Sequence, residues 1–351
     1  MNAKIDYKSA GVDIEAGDEA VRRIAGHAAS THSKAVLAGL GSFGSSFSLK
    51  DATKGMKDPV MVQSTDGVGT KTIVSVMAGR YEDLGRDLVA AVTGDIAVMG
   101  ARPLTFLDYI GLNKVVPATV EALVRGMSLA CKEAGIALVG GETAEMPSVY
   151  AENDLDVVGF VTGVVDREKM ITGSTITAGD ILYAVNSSGL HTNGFSLARK
   201  LVFDIGKHKI NDKPSALNGQ SVADALLAPH ANYAPAIRRI LDANIPVKGI
   251  AHITGSGLPG NVPRIIPDGL SVTIDRATWK PQPIFALMQK IGNVDDIEML
   301  NTFNMGVGLV IAAPKGLQKE LAAAVKDFPA LKVWEIGRVE AGGEGVRFTG
   351  A

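Results

Sequence analysis

The sequence predicts an α/β (α+β) fold divided into two domains, and three observations lead to that prediction. Apolar runs rich in β-branched residues alternate with segments whose apolar residues recur at helical spacing, as in proteins that combine a sheet with helices. The chain has 351 residues, of which 46% are hydrophobic, and this is enough to build more than one core. Its 40 glycines lie mainly at the ends of apolar runs and follow no fixed period.

The first half of the chain contains four predicted strands and two helical patterns. Each strand segment is rich in β-branched or aromatic residues and is bounded by glycine or polar turn residues. The predicted strands cover 59–65, 105–112, 136–139 and 155–165, and the predicted helices cover 84–100 and 119–134. The polar, turn-rich stretch 167–180 comes next, and it is interpreted as a linker or an interdomain hairpin.

A new αβ unit begins after that stretch. Its predicted elements are a strand over 181–186, a loop over 187–194, a helix over 195–202, a glycine loop over 251–260, a helical segment over 261–266, a strand over 302–313, and short strands near Trp334 and Val346. The boundary is therefore placed near residue 167, with an N-terminal domain over 1–167 and a C-terminal domain over 168–351.

Composition and charge exclude several classes of protein. The 35 basic and 37 acidic residues give a net charge of −2 without a basic tract, so nucleic acid is not expected as a partner. The single cysteine, Cys131, excludes an internal disulfide framework and a cysteine metal cluster. Residues 1–20 have no apolar core, and no apolar run reaches the ~18 residues that cross a bilayer. We therefore expect a cytoplasmic protein with no signal peptide and no membrane partner.

Three acidic residues occur where a charged side chain is unexpected. Asp66 ends a predicted strand, and Glu142 follows another strand and two glycines. Asp95 shares a helical stripe with the apolar residues Leu88 and Val92. A carboxylate beside a core is costly unless it is paired or bound to a metal. Together the three acids suit a hard cation such as Mg²⁺, which takes its remaining oxygens from water and phosphates.

Two of these acids also have a specific structural interpretation. Asp66 precedes Gly67 and is of a type that caps turns and helices. Asp95 could form an ion pair with Arg86 or Arg102. Taken singly, each carboxylate favours such a structural role, and only the combination with the loops described next favours a metal site.

Three glycine-containing loops, over 66–71, 187–194 and 254–257, have the composition of phosphate-binding loops. Glycines let backbone N–H groups approach an anion, and a helix that begins after the loop adds the positive end of its dipole. An imidazole in or beside such a loop can donate to phosphate, although for His252 a purely structural hydrogen bond remains open. The predicted phosphate-binding residues are Gly67, Gly69, Thr70, Lys71, Gly189, Asn193, Gly194, His252, Gly255 and Gly257.

Two other motifs are interpreted as coincidental. Residues 39–44 match G-x-G-x-x-G, but no clear helix follows them, as a dinucleotide-binding fingerprint requires. Residues 194–198 resemble a G-x-S-x-G nucleophile elbow with its last glycine replaced, and Ser196 is interpreted as a serine in the first turn of a helix. Four histidines show no pattern beyond exposed polar surroundings, and these are His27, His32, His208 and His230.

Several segments resemble one enzyme family, in order along the chain. They are YKSAGVD (7–13), TDGVGTK (65–71), FLDY (106–109), GGETAEMP (140–147), the loop around His191, and TFNMGVG (302–308). Together they resemble the aminoimidazole ribonucleotide synthetases, also called phosphoribosylformylglycinamidine cyclo-ligases, over most of the chain. The first and fourth segments are specific to this family within its superfamily.

The resemblance implies an activity and an assembly. The reaction would be the ATP-driven ring closure of formylglycinamidine ribonucleotide to aminoimidazole ribonucleotide, ADP and phosphate, a step of purine (IMP) synthesis. The N-terminal sheets of a homodimer would form a shared barrel, with ATP and Mg²⁺ bound in the N-terminal domain near that interface. The C-terminal domain would complete the active-site cleft.

The residues themselves suggest a hypothesis for the mechanism of this reaction. Asp66, Asp95 and Glu142 would hold Mg²⁺. The catalytic residues would be Asp66, Lys71 and His191, with Lys71 meeting phosphate. His191 would stabilise the phosphorylated intermediate or move a proton.

Three positions depart from the pattern of that family. Gly94 stands where asparagine is usual, Ser256 interrupts a triple glycine, and Ser42 replaces a glycine. Three other functions stay open. They are another ATP-dependent kinase or synthetase, such as one acting on thiamine monophosphate; a serine hydrolase that uses Ser196; and an inactive ATP-binding scaffold, which Gly94 would indicate.

Overall fold

The computed structural model describes residues 6–350. Ala351 and the first five residues of the stretch expected to lack a signal peptide lie outside it. The elements of the N-terminal half are α1 (Ile14–Ala29), β1 (Val36–Ala38), β2 (Ser46–Phe47), β3 (Pro59–Gly67), α2 (Lys71–Ala78), α3 (Tyr81–Ala97), β4 (Arg102–Leu112), α4 (Pro117–Ala134), β5 (Ala137–Glu145) and β6 (Leu155–Asp166). Within the described part of the chain, no helix is both long and apolar enough to cross a membrane.

The C-terminal half alternates strands with short helices. Its elements are β7 (Ile181–Asn186), α5 (Phe195–Arg199), α6 (Val222–Leu226), α7 (Ala234–Asp242), β8 (Gly249–His252), α8 (Gly257–Asn261), β9 (Leu270–Asp275), α9 (Pro283–Gly292), α10 (Asp296–Thr302), β10 (Val307–Ala313), α11 (Gln318–Ala324), β11 (Val333–Ala341) and β12 (Val346–Thr349). A π-helical turn over Lys200–Ile205 continues α5. The predicted mixed α/β fold of two units is confirmed.

The N-terminal sheet has the strand order β3-β6-β4-β5, in which only β4 and β5 are parallel. One face packs against α1, α3 and α4, and it buries the alternate side chains of β4 and β6, such as Phe106 and Val161. No helix of the described chain packs on the opposite face, and only the 146–150 segment covers part of it, near Tyr109 and Gly111. Met61 is 65% exposed on that face, and Phe160 and Leu107 are 44% and 39% exposed.

The β5 strand is longer than the sequence predicted. It continues through Gly140 and Gly141 to Glu145, because it stays paired with β4 along its whole length. Glu142 therefore lies inside a strand, and the prediction that it follows one is wrong. The tight contact between the two strands explains the local glycine, since a β-carbon on Gly141 would lie 2.4 Å from Oδ1 of Asp108.

The C-terminal sheet has the order β12-β9-β11-β7-β10-β8 and is antiparallel except between β12 and β9. Its β10 strand starts later than the predicted residue 302, because Thr302 still belongs to α10. A turn follows in which the Asn304 side chain accepts a hydrogen bond from the Gly306 N–H. This turn brings Asn304 beside the loop that follows β7, where its amide donates to the Gly189 carbonyl.

The connection between the halves is a loop and not a hairpin. After β6 the chain makes one 3-10 turn over Arg167–Lys169 and then runs without a strand to β7. The Ile171 N–H donates to Met99 in the N-terminal half, and the Gly173 N–H donates to Lys248 in the C-terminal half. The hairpin alternative is therefore wrong, while the domain boundary near residue 167 stays a prediction.

Helices α3 and α4 cross at two glycines. A β-carbon on Gly126 of α4 would lie 1.9 Å from the carbonyl oxygen of Glu82, and one on Gly85 of α3 would lie 2.0 Å from that of Leu123. The backbones therefore touch, and neither position has room for a side chain. This contact fixes the orientation of α3, the helix that carries Asp95 to the junction of the two halves.

We predict that Gly126→Ala lowers the free energy of unfolding by about 3 kcal/mol, because the added methyl group must push the two helices apart. Chemical denaturation of the purified protein measures this change. The matched control is Gly26→Ala in α1, where a β-carbon meets no atom within 4 Å. That variant should gain stability from better helix propensity. Equal stability of the two variants would contradict the backbone contact.

Candidate functional site

The three glycine loops predicted from the sequence meet at one edge of the junction between the halves. The loop over 66–71 connects β3 to α2, the loop over 187–194 connects β7 to α5, and the loop over 253–256 connects β8 to α8. The first loop comes from the N-terminal sheet and the other two from the C-terminal sheet, so a ligand bound here would touch both halves.

Direct contacts join the loops to one another. The Thr70 hydroxyl lies 3.1 Å from the hydroxyl of Ser196, which is in the first turn of α5. A β-carbon on Gly255 would lie 3.3 Å from Oδ1 of Asn193, so the second and third loops are also neighbours. The loops therefore form one continuous polar surface.

The predicted phosphate-binding residues divide into two groups by exposure. The exposed or half-buried group consists of Gly67, Gly69, Thr70, Asn193, Gly194 and Gly255. The buried group consists of Lys71, Gly189, His252 and Gly257. The first group is accessible from this surface, and the second lies behind it.

Lys71 is fully buried and forms an ion pair with Asp87 of α3, which is also fully buried. Its Nζ lies 2.6 Å from Oδ2 of Asp87 and donates to the carbonyl oxygens of His191 and Ala228, at 2.9 and 3.3 Å. Oδ1 of Asp87 accepts a hydrogen bond of 2.6 Å from the backbone N–H of His230. One ion pair therefore ties α2 and α3 to two loops of the C-terminal half.

The prediction that Lys71 meets phosphate needs correction. Its ammonium group is already surrounded by a carboxylate and two carbonyl oxygens, and it has no path to the surface in this conformation. Burial lowers the pKa of Lys71, while burial raises the pKa of Asp87 to about 6. Desolvation of the two charges therefore opposes formation of the pair. Its structural role is to hold the backbones of His191, Ala228 and His230 in place.

Three histidines cluster above this ion pair. The rings of His191 and His230 are stacked with their centroids 3.8 Å apart, and His252 approaches His230 edge-on at 5.3 Å. All three are buried, so the prediction that His230 has exposed polar surroundings is wrong. Burial lowers the pKa of both His191 and His230 well below the usual value, and both rings are neutral at physiological pH.

Burial also limits what His191 can do. Its ring is 1% exposed, so in this conformation it lies behind the 187–194 loop and does not line the ligand-facing surface. The Ser188 N–H donates to its Nε2, and its Nδ1 is buried without a partner. The geometry therefore favours a role in shaping the loop over direct contact with substrate.

Asp66 and Asp95 lie close together on the helix-covered side of β3. Asp66 accepts a hydrogen bond from the Gly67 N–H. Partial burial of the carboxyl raises the pKa of Asp66, and the negative charge of Asp95 raises it further. Two neighbouring carboxylates with unused oxygen lone pairs fit a divalent cation that takes its other ligands from phosphates.

Asp95 has partners other than those considered in the sequence. Its Oδ1 lies 2.9 Å from Nδ1 of His252, and its Oδ2 accepts from the Ser64 hydroxyl at 3.3 Å. Arg86 instead pairs with Glu133, so pairing of Asp95 with Arg86 is wrong. Asp95 is only partly buried, at the edge of the stripe formed by its apolar neighbours.

Gly94 makes room for this arrangement. A β-carbon at this position would lie 2.6 Å from Cε1 of His252, so the imidazole occupies the space that a larger residue would fill. The His252 ring therefore fills the space left by the missing side chain of Gly94. The contact between Asp95 and His252 depends on glycine at this position.

Glu142 is not brought to Asp66 and Asp95 within one copy of the chain. The register places Asp66, Gly159, Asp108 and Gly141 in one row across the sheet, with their side-chain positions on the helix-covered face. Glu142 follows Gly141 and so belongs to the opposite, uncovered face. Among residues 6–350, no group of three or more His, Cys, Asp or Glu side chains is arranged to hold a metal.

The two motifs interpreted as coincidental have no functional geometry. The 39–44 segment connects two short strands, β1 and β2, and no helix follows β2 before β3. The Ser196 hydroxyl contacts that of Thr70, and within the described part of the chain it has no hydrogen bond to a histidine or carboxylate that could activate it. The serine-hydrolase alternative therefore loses its basis.

Two residues at the centre of this site, Asp87 and His230, were not among the predicted site residues. Asp87 lies three residues after Leu84 and one before Leu88, both fully buried, so the helical pattern that drew attention to Asp95 also marks Asp87. His230 lies in a loop without periodicity, and no local pattern in the sequence could have shown that it is buried.

We predict that Lys71→Met lowers the free energy of unfolding by about 3–5 kcal/mol, because it leaves the Asp87 carboxyl buried without its cation. Chemical denaturation measures the change. The matched control is Lys57→Met, whose ion pair with Glu168 is exposed and should contribute little. If both variants unfold at the same denaturant concentration, the buried pair does not hold the two halves together.

Solved structures with the same fold perform several functions. The chain matches the thiamine-monophosphate kinase of Stenotrophomonas maltophilia K279a with a TM-score of 0.69 at 20% identity, over 95% of this chain and 96% of that one. It matches E. coli HypE, a hydrogenase maturation protein, with a TM-score of 0.67 at 20% identity, over 95% and 94%. AaThiL complexed with AMPPCP and TMP matches with a TM-score of 0.57 at 19% identity, over 84% of each chain. At sequence identities of about 20%, the structural match shows a shared fold but does not show a shared function.

Sequence relatives are much more similar. The phosphoribosylformylglycinamidine cyclo-ligase of Geotalea daltonii is 45% identical over 97% of this chain and 98% of its own length. The enzyme of the same name from Myxococcus xanthus is 46% identical over 96% of each. The models for the N-terminal and C-terminal domains of AIR synthase related proteins match residues 51–165 and 177–349. The resemblance found in the sequence is thereby confirmed, and the chain belongs to the AIR synthase family.

Proposed function

We propose that this chain catalyses the ATP-dependent ring closure of formylglycinamidine ribonucleotide to aminoimidazole ribonucleotide, with release of ADP and phosphate, as a cytoplasmic enzyme of purine biosynthesis. Family membership over nearly the whole length supports the reaction class. The structural observation that carries the proposal is the meeting of three glycine loops from both halves beside Asp66 and Asp95. Such a surface suits ligands that carry phosphate groups.

The phosphate contacts would come from the accessible residues of these loops. The backbone N–H groups and side chains that face outward belong to Gly69, Thr70, Asn193, Gly194 and Gly255. Because the loops come from opposite halves, a polyphosphate bound across them would also hold the halves in a fixed relation. We assign positioning roles to Lys71 and His191, which lie directly behind this surface.

Asp66 and Asp95 are the proposed magnesium ligands. Their carboxyl groups are close enough for one charge to raise the pKa of the other, and this is the arrangement that a divalent cation relieves. When bound, the cation would neutralise negative charge on the phosphoryl oxygens. Glu142 would contribute only where a second copy of the chain completes the site, since it belongs to the uncovered face.

The proposed chemistry requires a better leaving group at the formyl carbon. Phosphorylation of the formyl amide oxygen by ATP releases ADP and provides that group. An amidine nitrogen then attacks the formyl carbon, the C–O bond breaks, and phosphate leaves as the ring closes with loss of the nitrogen proton. The chain's part is to position the two substrates and neutralise charge, so rigid loops matter more than an acid or base of tuned pKa.

The uncovered face of the N-terminal sheet is the proposed homodimer interface. Met61, Phe160 and Leu107 form an exposed apolar surface there, flanked by half-buried Tyr109 and Val158. A monomer that leaves most of one face of a four-stranded sheet uncovered exposes a larger apolar patch than is usual for a soluble protein. Two such faces packed together would form the shared barrel that the family resemblance implies.

A kinase for thiamine monophosphate is the main alternative, because proteins of that function share the fold. Their sequence identity of about 20% to this chain is far lower than the 45% of the cyclo-ligases. A catalytically inactive scaffold is disfavoured, since the space at Gly94 is filled by His252 and the adjacent carboxylate keeps its partners.

We predict that the purified protein forms aminoimidazole ribonucleotide and ADP from formylglycinamidine ribonucleotide, and that it releases no ADP with thiamine monophosphate. Asp66→Asn and Asp95→Asn should each lower kcat/KM on the order of 10²-fold, because each removes charge from the proposed cation site. A coupled assay across a magnesium titration measures both rate and cation requirement. The control is Glu152→Gln, an exposed acid outside the three loops. Normal turnover and normal magnesium dependence in both aspartate variants would exclude the proposed site.

We predict that the wild-type protein is a dimer in solution and that Phe160→Glu produces a monomer, because a charge would be buried in the apolar interface. Light scattering after size-exclusion chromatography gives the mass directly. The control is Ile297→Glu, which replaces an equally apolar residue, 73% exposed, on α10 of the other half. A monomeric wild type, or a Phe160→Glu variant that stays dimeric, would rule out this interface.

A further inference from the structure

The loop over 187–194 has a strained backbone that needs support. His191 adopts φ = +62°, in the left-handed region that residues with side chains occupy rarely and at a cost. The backbone on either side is therefore held by specific contacts. The Lys71 ammonium donates to the His191 carbonyl oxygen, and the Ser188 N–H donates to Nε2 of the His191 ring.

The hydrogen bonds determine which nitrogen of each ring carries the proton. Because Nε2 of His191 accepts from Ser188, the neutral ring must carry its proton on Nδ1. Nδ1 of His230 lies 3.0 Å from the carbonyl oxygen of Ala231 and donates to it, which leaves Nε2 unprotonated. Two neutral rings can stack closely without charge repulsion, as these do at an interplanar angle of 25°.

His230 is itself fixed on two sides. Its backbone N–H donates to Asp87, the partner of Lys71, and its ring contacts Tyr233 and His252 edge-on at 6.1 and 5.3 Å. The charged groups that face the two stacked rings are Lys71 and Asp87 beneath them and Asp95 beyond His252. Asp87 of the N-terminal half therefore holds His230 in place, and the His230 ring supports the ring of His191.

We propose that His230 is a positioning residue that holds the His191 imidazole against the Ser188 amide by stacking, and so fixes the strained 187–194 loop. The proposal rests on the proposed function in taking this loop as part of the phosphate-binding surface. It adds a residue that does not touch the ligand surface and that no motif in the sequence indicated. The essential property is a flat neutral ring at this position, and neither hydrogen-bonding capacity nor charge is required.

The test compares His230→Ala, His230→Phe and a control, His208→Ala, in the full-length protein. His208 lies outside the cluster, near Asp212. We expect His230→Ala to lower kcat by about 10²-fold, because a loop misplaced by about 1 Å loses that much. His230→Phe should recover most of this loss, since phenylalanine keeps the stacked ring. Failure of His230→Phe to recover activity, or wild-type kcat in His230→Ala, would overturn the proposal.

A second readout does not depend on catalysis. Imidazole ¹⁵N spectra of the intact protein report the tautomer of each histidine, and comparison with His191→Phe assigns the His191 signals. We expect the wild type and His230→Phe to show His191 protonated on Nδ1, and His230→Ala to show a mixture of tautomers. Unchanged His191 signals in His230→Ala would overturn the positioning role even if turnover fell. Normal turnover of His191→Phe, together with the expected spectra, would refute only the assignment of the loop to the reaction.

Discussion

The buried ion pair between Lys71 and Asp87 is the interaction on which the rest of the site depends. A fully desolvated pair of charges is expensive, and it is tolerated only where the remaining protons and lone pairs are used. Here they are used to fix the backbones of His191, Ala228 and His230, all from the C-terminal half. Two halves with separate sheets thus acquire one shared polar centre, and the ligand-facing loops lie directly in front of it.

Glycine serves two distinct purposes in this chain. At the ligand-facing loops it keeps side chains away from the surface where phosphate would bind. At Gly126, Gly141 and Gly94 it allows close contact inside the protein, with a helix backbone, an aspartate and an imidazole respectively. The number of glycines does not distinguish these two purposes, because each of them requires a position without a side chain. The high glycine content is therefore only partly explained by ligand binding.

The fold could be predicted largely from the sequence, and the site only in part. Hydrophobic patterns located the four strands of the N-terminal sheet and β7, β10, β11 and β12 of the C-terminal sheet, since burial on a pleated surface dictates their periodicity. They missed β8, whose residues were partly assigned to a glycine loop, and β9. The loops were found because glycine and polar residues mark them. The main errors concern burial. Lys71, His191 and His230 are polar residues that become buried through tertiary contacts, and no local sequence pattern indicates those contacts. Glu142 was misplaced because a strand that continues through two glycines resembles a strand that ends at them.

In the proposed function, three loops from two halves act as one surface for phosphate groups. Hydrogen–deuterium exchange tests it directly, with a non-hydrolysable ATP analogue, Mg²⁺ and formylglycinamidine ribonucleotide added to the intact protein. We expect segments 66–71, 187–194 and 253–257 to become protected together, while the mostly irregular segment 207–220, which lies outside the three loops, does not change. Protection confined to one half of the chain, with the loops of the other half exchanging as in the free protein, would contradict it.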